Sequence, residues 1–145
     1  MEHQGNSESS KMVFVDADAF VALARQDDTN HEKAVQLLDV LDGKQVQFVT
    51  SNYVFAESVT VISQRVSHEG AVQFINVVKS ATGEYITRWI SEELERLAIR
   101  IFKEQASKNV SFVDCTNMAL MRTEQIQYIF SFDGVYKKSV AGLWG

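Results

Sequence analysis

Apolar and polar positions along this chain switch repeatedly between a short strand-like pattern and a helical period. Met12-Val13-Phe14-Val15 is an apolar run rich in strand formers, too short for a helix of its own, and it stops at Asp16. It predicts a buried strand. A short helix is expected from Asp18 to Ala24, and Thr29-Asn30-His31-Glu32 has the spacing of a capping box opening the amphipathic stretch Ala34 to Leu41, which Gly43 ends. Val46 to Thr50 predicts a second strand. Ser51 or Asn52 then caps a helix running through Glu57 to about Val66, and a further helix spans roughly Glu69 to Ala81. Tyr85 to Ile90 alternates as a strand does, and Ser91 with Glu92 and Glu93 opens a helix carrying Leu94, Leu97, Ile101 and Phe102. Val110 to Val113 predicts a short strand or extended segment leading to Asp114, followed by a helix from about Thr116 to Thr123. The run from Gln127 to Phe132 predicts the last clear strand, ending at Asp133. Strands alternating with helices imply an α/β fold whose central parallel sheet is covered on both faces.

This alternation places three acids directly after strand-like runs: Asp16, Asp114 and Asp133. Glu57 lies about two turns into a helix that follows another strand. In open α/β sheets, sites form outside the carboxyl ends of the strands, so these four carboxylates are expected to converge on one edge. Clustered carboxylates repel one another and raise each other's pKa, which a cation relieves. With only Cys115 and three scattered histidines, no disulfide framework or zinc cluster is expected, and oxygen-only ligands suit Mg²⁺ or Mn²⁺. Each acid taken alone also has an ordinary structural role, since Asp often caps a helix after a strand. Glu57, within Tyr53-Val54-Phe55-Ala56-Glu57-Ser58-Val59, stands out because an unpaired carboxylate in an apolar setting is costly.

Length and charge narrow the picture further. A chain of 145 residues suits one domain, here residues 12–145 behind a flexible tail at 1–11. No apolar run approaches the roughly 18 residues of a membrane span, and the polar start is no signal peptide, so a cytoplasmic protein is expected. A net charge of −5 does not suggest a nucleic-acid binder, but setting four ligand acids aside leaves 15 acids against 14 bases. Global charge is therefore a weak veto.

The ordered set of motifs resembles the PIN-domain ribonucleases, especially the small VapC-like toxins of toxin-antitoxin pairs. Val13-Phe14-Val15-Asp16-Ala17-Asp18 is similar to that family's opening strand and first acid, and Phe55-Ala56-Glu57 to its helix acid. Ser111-Phe112-Val113-Asp114-Cys115 and Phe130-Ser131-Phe132-Asp133 are similar to its third and closing elements, with Ser131 where Thr is commoner. The spacings of 41, 57 and 19 residues between successive acids also suit it. Asp18 stands where Asn or Ser is more usual, and Asn117 with Met118 replaces an extra acid that some members carry.

The resemblance implies a three-layer α/β/α sandwich and hydrolysis of RNA by in-line attack of water, assisted by Mg²⁺ or Mn²⁺. The products would carry 5′-phosphate and 3′-hydroxyl ends. Asp16, Glu57, Asp114 and Asp133 would hold the cation, with Asp18, Ser131 and Asn117 as auxiliaries. Lys137, Lys138 and Arg122 are candidates for the RNA backbone, although exposed basic residues are more often only solvated. A homodimer and a cognate antitoxin are implied as partners, with no membrane. Two other readings remain. The Asp16-x-Asp18 opening also resembles haloacid-dehalogenase-type phosphatases, which would make Asp16 a nucleophile but leave Glu57 unexplained. A catalytically silent binding module of the same fold is the other. Phe14, Phe48, Phe74, Phe102, Phe112 and Trp89 are expected in the core rather than stacked on bases, and Trp144 is expected either against the sheet edge or at a partner interface.

Overall fold

The computed structural model describes residues 11–137, 139 and 140; the tail at 1–10, Lys138 and Trp144 lie outside them. Among the described residues the strands are β1 (Met12–Val15), β2 (Gln47–Ser51), β3 (Tyr85–Arg88) and β4 (Tyr128–Phe130). The helices are α1 (Ala17–Ala24), α2 (His31–Gly43), α3 (Asn52–Arg65), α4 (His68–Val78), α5 (Glu92–Glu104) and α6 (Phe112–Glu124). All pairings are parallel and the order is β3-β2-β1-β4. The α/β expectation therefore holds.

Topology explains where the layers fall. Crossovers between parallel strands are right-handed as a rule, so stepping from β1 to β2 to β3 puts α1 to α4 on one face and the return from β3 to β4 puts α5 and α6 on the other, in keeping with the helix pairs that pack together. Phe14, Val49 and Ile129 are fully buried between these layers. Phe20 of α1 packs on Phe74 of α4 and on Tyr85 of β3, closing the first face, while Ala98, Ile101, Cys115 and Ala119 join α5 to α6 on the second. Truncating a fully buried Phe such as Phe14 to Ala would cost about 3 to 5 kcal/mol.

Several boundaries differ from the expected ones, each for a local reason. The extended segment expected at Val110 to Val113 is not a strand: Ser111 caps α6, so Asp114 sits in that helix's first turn. The apolar run Phe112-Val113 is the buried start of a helix rather than a strand. Asn30, not Thr29, stands at the N-cap of α2, and its side chain makes no capping bond. Ser51, Ser67 and Ser91 do cap α3, α4 and α5 through their hydroxyls. Lys11, expected in the tail, already accepts a hydrogen bond from Gln47 N at 2.9 Å and so belongs to the sheet margin. Trp89 is 73% exposed and Phe102 46% exposed, so neither is a core residue. Beyond β4 the chain loops back and forms a parallel bridge between Ile129 and Ser139.

Candidate active site

Asp16 is the pivot of the site because three elements reach it. Its N–H donates to Phe130 O at 3.1 Å, extending the ladder between β1 and β4, and its backbone then turns into α1. Its Oδ1 accepts from Ala17 N at 2.8 Å and from Asn117 Nδ2 at 3.2 Å, and its Oδ2 accepts from the Ser131 hydroxyl at 3.0 Å. The capping role and the site role thus fall on one carboxylate. Burial, reinforced by the charge of Asp18, pushes its pKa up to about 7 despite the hydrogen bonds that oppose the shift.

Asp18 lies beside it. The loop after β4 is pinned to its carboxylate, since Phe132 N donates to Oδ2 at 3.0 Å, and Ser131 Oγ lies 3.3 Å from the same oxygen. Burial raises Asp18 to about 6, with Asp133 adding to the push. The buried Ser131 has a single hydroxyl proton, so it can serve Asp16 or Asp18 but not both at once, while its oxygen accepts from Asp133 N at 3.1 Å. Asp133 in turn accepts from Val135 N at 3.1 Å, which fixes the loop that follows.

Asp114 is built differently from the strand-end acid expected. In the capping box of α6 its N–H donates to Ser111 Oγ at 3.0 Å and its Oδ2 accepts from Ser111 N at 2.9 Å. Its Oδ1 accepts from the Tyr136 hydroxyl at 2.8 Å. Tyr136 also accepts from Asn117 Nδ2 at 3.0 Å, so Asn117 and Tyr136 together bridge Asp16 to Asp114. Burial and the charges of Asp16 and Asp114 drive the Tyr136 phenol upward, which keeps it a protonated donor. Asn117 falls on the face of Asp114 through i,i+3 spacing, a signal present in the sequence. Nothing in Asp133-Gly134-Val135-Tyr136 marks Tyr136 for a contact formed across 22 residues.

Glu57 occupies an exposed position on α3, whose buried face carries Val54, Ser58 and Ile62. The apolar setting read from the sequence is therefore the other side of the helix. Partial burial and then the Asp114 charge still push the Glu57 carboxyl upward, with water screening it. The acids are linked in series by mutual repulsion: Asp133 acts on Asp18, Asp18 and Asp114 on Asp16, and Asp114 on Glu57. Among the described residues, however, no three carboxylate, imidazole or thiol groups stand close enough to hold an ion between them as placed. The donor set itself fits a hard cation: it is all oxygen, its members repel one another, and Asn117 Oδ1 is a buried acceptor without a partner among the described residues.

The basic candidates divide. Lys137 is exposed and borders, with Tyr136, a cleft alongside β4. Arg122 also borders that cleft, but it reaches a larger hollow of about 920 Å³ lined by Lys11, Gln45 and Tyr128. That hollow lies at the edge where the strands begin, opposite the acids, so its size says nothing about the chemistry. A smaller cleft of about 240 Å³ does border the acids, lined by Asp18 and Glu57 together with Asn30 and Arg65. Nothing in the sequence marks Arg65, the basic residue in the last turn of an ordinary helix.

Comparison with known proteins agrees with this architecture. The PIN domain family matches residues 13–140. The chain is 31% identical over 131 residues to the 23S rRNA-specific endonuclease VapC20 of Mycobacterium tuberculosis, in strains CDC 1551 / Oshkosh and ATCC 25618 / H37Rv, covering 90% of this chain and 95% of that protein. The crystal structure of Mycobacterium tuberculosis VapC20, described as a Sarcin-Ricin loop cleaving toxin, superposes with a TM-score of 0.76 at 30% identity, covering 84% of this chain and 90% of that one. With its fold and nearly its whole length matched, the chain belongs to the PIN-domain family.

Proposed function

We propose that this protein is a divalent-cation-dependent endoribonuclease acting as the toxin of a toxin-antitoxin pair, with structured RNA, ribosomal RNA first, as its substrate class. The observation that carries the reading is the series of five carboxylates, Asp133, Asp18, Asp16, Asp114 and Glu57, coupled to one another at the carboxyl edge of a parallel sheet. Asp16 and Asp114 would be the principal cation ligands, with Glu57 and Asp133 completing the shell directly or through water, and Asp18 assisting. When bound, Mg²⁺ or Mn²⁺ would activate the attacking water and stabilise charge on the phosphate and the leaving oxygen. Ser131 orients Asp16 or Asp18 according to where its proton points, and Asn117 with Tyr136 sets the spacing between Asp16 and Asp114. Buried surroundings keep Asp16 partly protonated at neutral pH, and Asp16 would give up that proton on holding a cation.

Cleavage by the purified protein of a pool containing the large ribosomal RNA, with Mg²⁺, Mn²⁺ or EDTA, tests the reading. The expected result is metal-dependent cuts with 5′-phosphate ends, absent in Asp16→Asn. Hydrolysis of a small phosphomonoester without RNA cutting would overturn it in favour of a phosphatase. A second expected outcome is a melting temperature that rises with added Mn²⁺ and returns with EDTA, by several degrees at saturating ion. Should the ion leave the transition unmoved, the cation site would be refuted. As a toxin the protein would have a protein antitoxin and assemble as a homodimer; exposed Val72 and Val77 on α4 and Ile99 and Phe102 on α5 leave apolar surface for such partners. No helix among the described residues is long and apolar enough to cross a membrane.

A further inference from the structure

The cleft beside the acids continues past them. Glu57, Val61 and Arg65 recur every four residues along α3 and line it, facing Asp18 and Val21 of α1, with Asn30 in the loop before α2. At 1.5 Å rise per residue, Arg65 stands roughly 12 Å along the helix from Glu57. One phosphate cannot span both ends, whereas successive positions on a strand can.

Among the described residues, neither the Arg65 guanidinium nor the Asn30 side-chain amide has a partner. Arg25 is held by Asp27 at 2.8 Å and Arg88 by Glu124 at 3.0 Å, but Arg65 makes no ion pair among the described residues. Asp28 also lines the cleft; its carboxylate accepts from Asn30 N at 2.8 Å and makes no ion pair with Arg65. Asn30 holds an N-cap position, where an Asn side chain ordinarily accepts from the helix's first turn, yet it makes no such bond. Its amide and the Arg65 guanidinium are left facing a cleft whose other end is acidic. A polyanionic strand entering at the acids meets repulsion there, and a fixed cation further along gives it a favourable resting point. Arginine suits that place because its planar fork binds phosphate oxygens in pairs.

We infer that Arg65 and Asn30 form a subsite for an RNA backbone phosphate flanking the scissile bond, Arg65 binding the phosphate oxygens and Asn30 donating to the same phosphate or its ribose. This rests on the ribonuclease reading and deepens it. The residues are positioning groups rather than catalytic ones, so the loss should fall on binding. Arg65→Gln is expected to raise KM for a cleavable RNA about tenfold with kcat within about twofold of wild type. The slope of log KM against log salt should fall by about 0.7, the share of one released counterion on a single strand. Arg65→Lys should restore the salt slope but not the full affinity, and Asn30→Ala should raise KM a few fold. Substrates shortened from each end in turn supply the decisive control. Once the contacted flank is removed, the wild type should show the KM of Arg65→Gln, and the substitution should cost nothing more. An Arg65→Gln protein with unchanged melting temperature, KM and salt slope would overturn the subsite while leaving the nuclease intact. So would a fall in kcat at constant KM, or weakened binding of a protein partner with RNA kinetics untouched. Failure of the wild type to cut RNA would instead remove the ribonuclease reading and the subsite with it.

Discussion

Asp16→Asn is expected to abolish RNA cleavage, by at least about a thousandfold, and yet to melt above the wild type in EDTA at pH 8. The carboxyl is buried and its pKa is raised to about 7, against an ordinary 3.8 in the unfolded chain. Below about pH 4 it is protonated in both states and contributes no difference. Between about pH 4 and 7 the folded state holds a proton that the unfolded state has released, so stability falls as pH rises, and above about pH 7 the whole penalty is present. That penalty is on the order of 2 to 4 kcal/mol. An amide removes it and keeps the hydrogen bonds: its oxygen can still accept from Ala17 and Asn117, and its NH₂ can donate to Ser131, whose proton then turns to Asp18. The variant should therefore melt roughly 5 to 10 °C higher at pH 8, and the gap should close towards pH 4. Calorimetry across that range in EDTA, paired with a cleavage assay in Mg²⁺, checks both halves. Retained cleavage, or a gap that ignores pH, would discard this account of Asp16. Asp114→Asn is a poorer probe, because one amide cannot accept from both Tyr136 and Ser111 N, and loss of the capping box alone costs about 1 kcal/mol.

Tyr136→Phe carries the second large effect. Among the described residues the hydroxyl is the sole link from the Asn117 amide to Asp114 Oδ1, and its removal leaves a buried N–H and a buried carboxylate oxygen each short of a partner. Such losses cost about 1 to 3 kcal/mol of stability. Outer groups that orient cation ligands typically matter by about 10 to 100-fold, so kcat should fall within that range while KM for RNA holds. The cation concentration needed for half-maximal activity should rise as well. Because the phenol stays protonated, the pH profile should keep its shape. Kinetics over a Mn²⁺ series would show this, and wild-type cation dependence in the variant would rule out the bridge as a functional element.

Much of this was legible because it is written locally. The buried β1 and β2 are short runs of strand formers, and Ser51, Ser67 and Ser91 announce the helices they cap. The start of α6 is also written, as Ser111-x-x-Asp114, but the apolar residues between those two read as a strand. The last strand looked longer than it is, because Phe132 reads as a strand residue until its N–H is seen turned to Asp18. Exposure at Glu57 and Trp89 could not be read from apolar neighbours, since which side of an element faces water is settled by what packs on it. Tyr136 and Arg65 lacked any local mark; their placement depends on a loop returning past β4 and on α1 lying against α3.

The sequence distances inside the site have a kinetic meaning. Asp16 meets Asn117 across 101 residues and Ser131 across 115, so its partners arrive only after nearly the whole sheet has closed. Contacts so distant form late, since the entropy of closing a long loop is met before they return anything. A folding intermediate holding β1, β2 and β3 without β4 would have a hydrophobic core but a disarmed Asp16, lacking Ser131 and the tyrosine bridge. Nuclease activity would thus belong to the fully cooperative native state, and a nascent or partly unfolded chain would be harmless to the RNA around it.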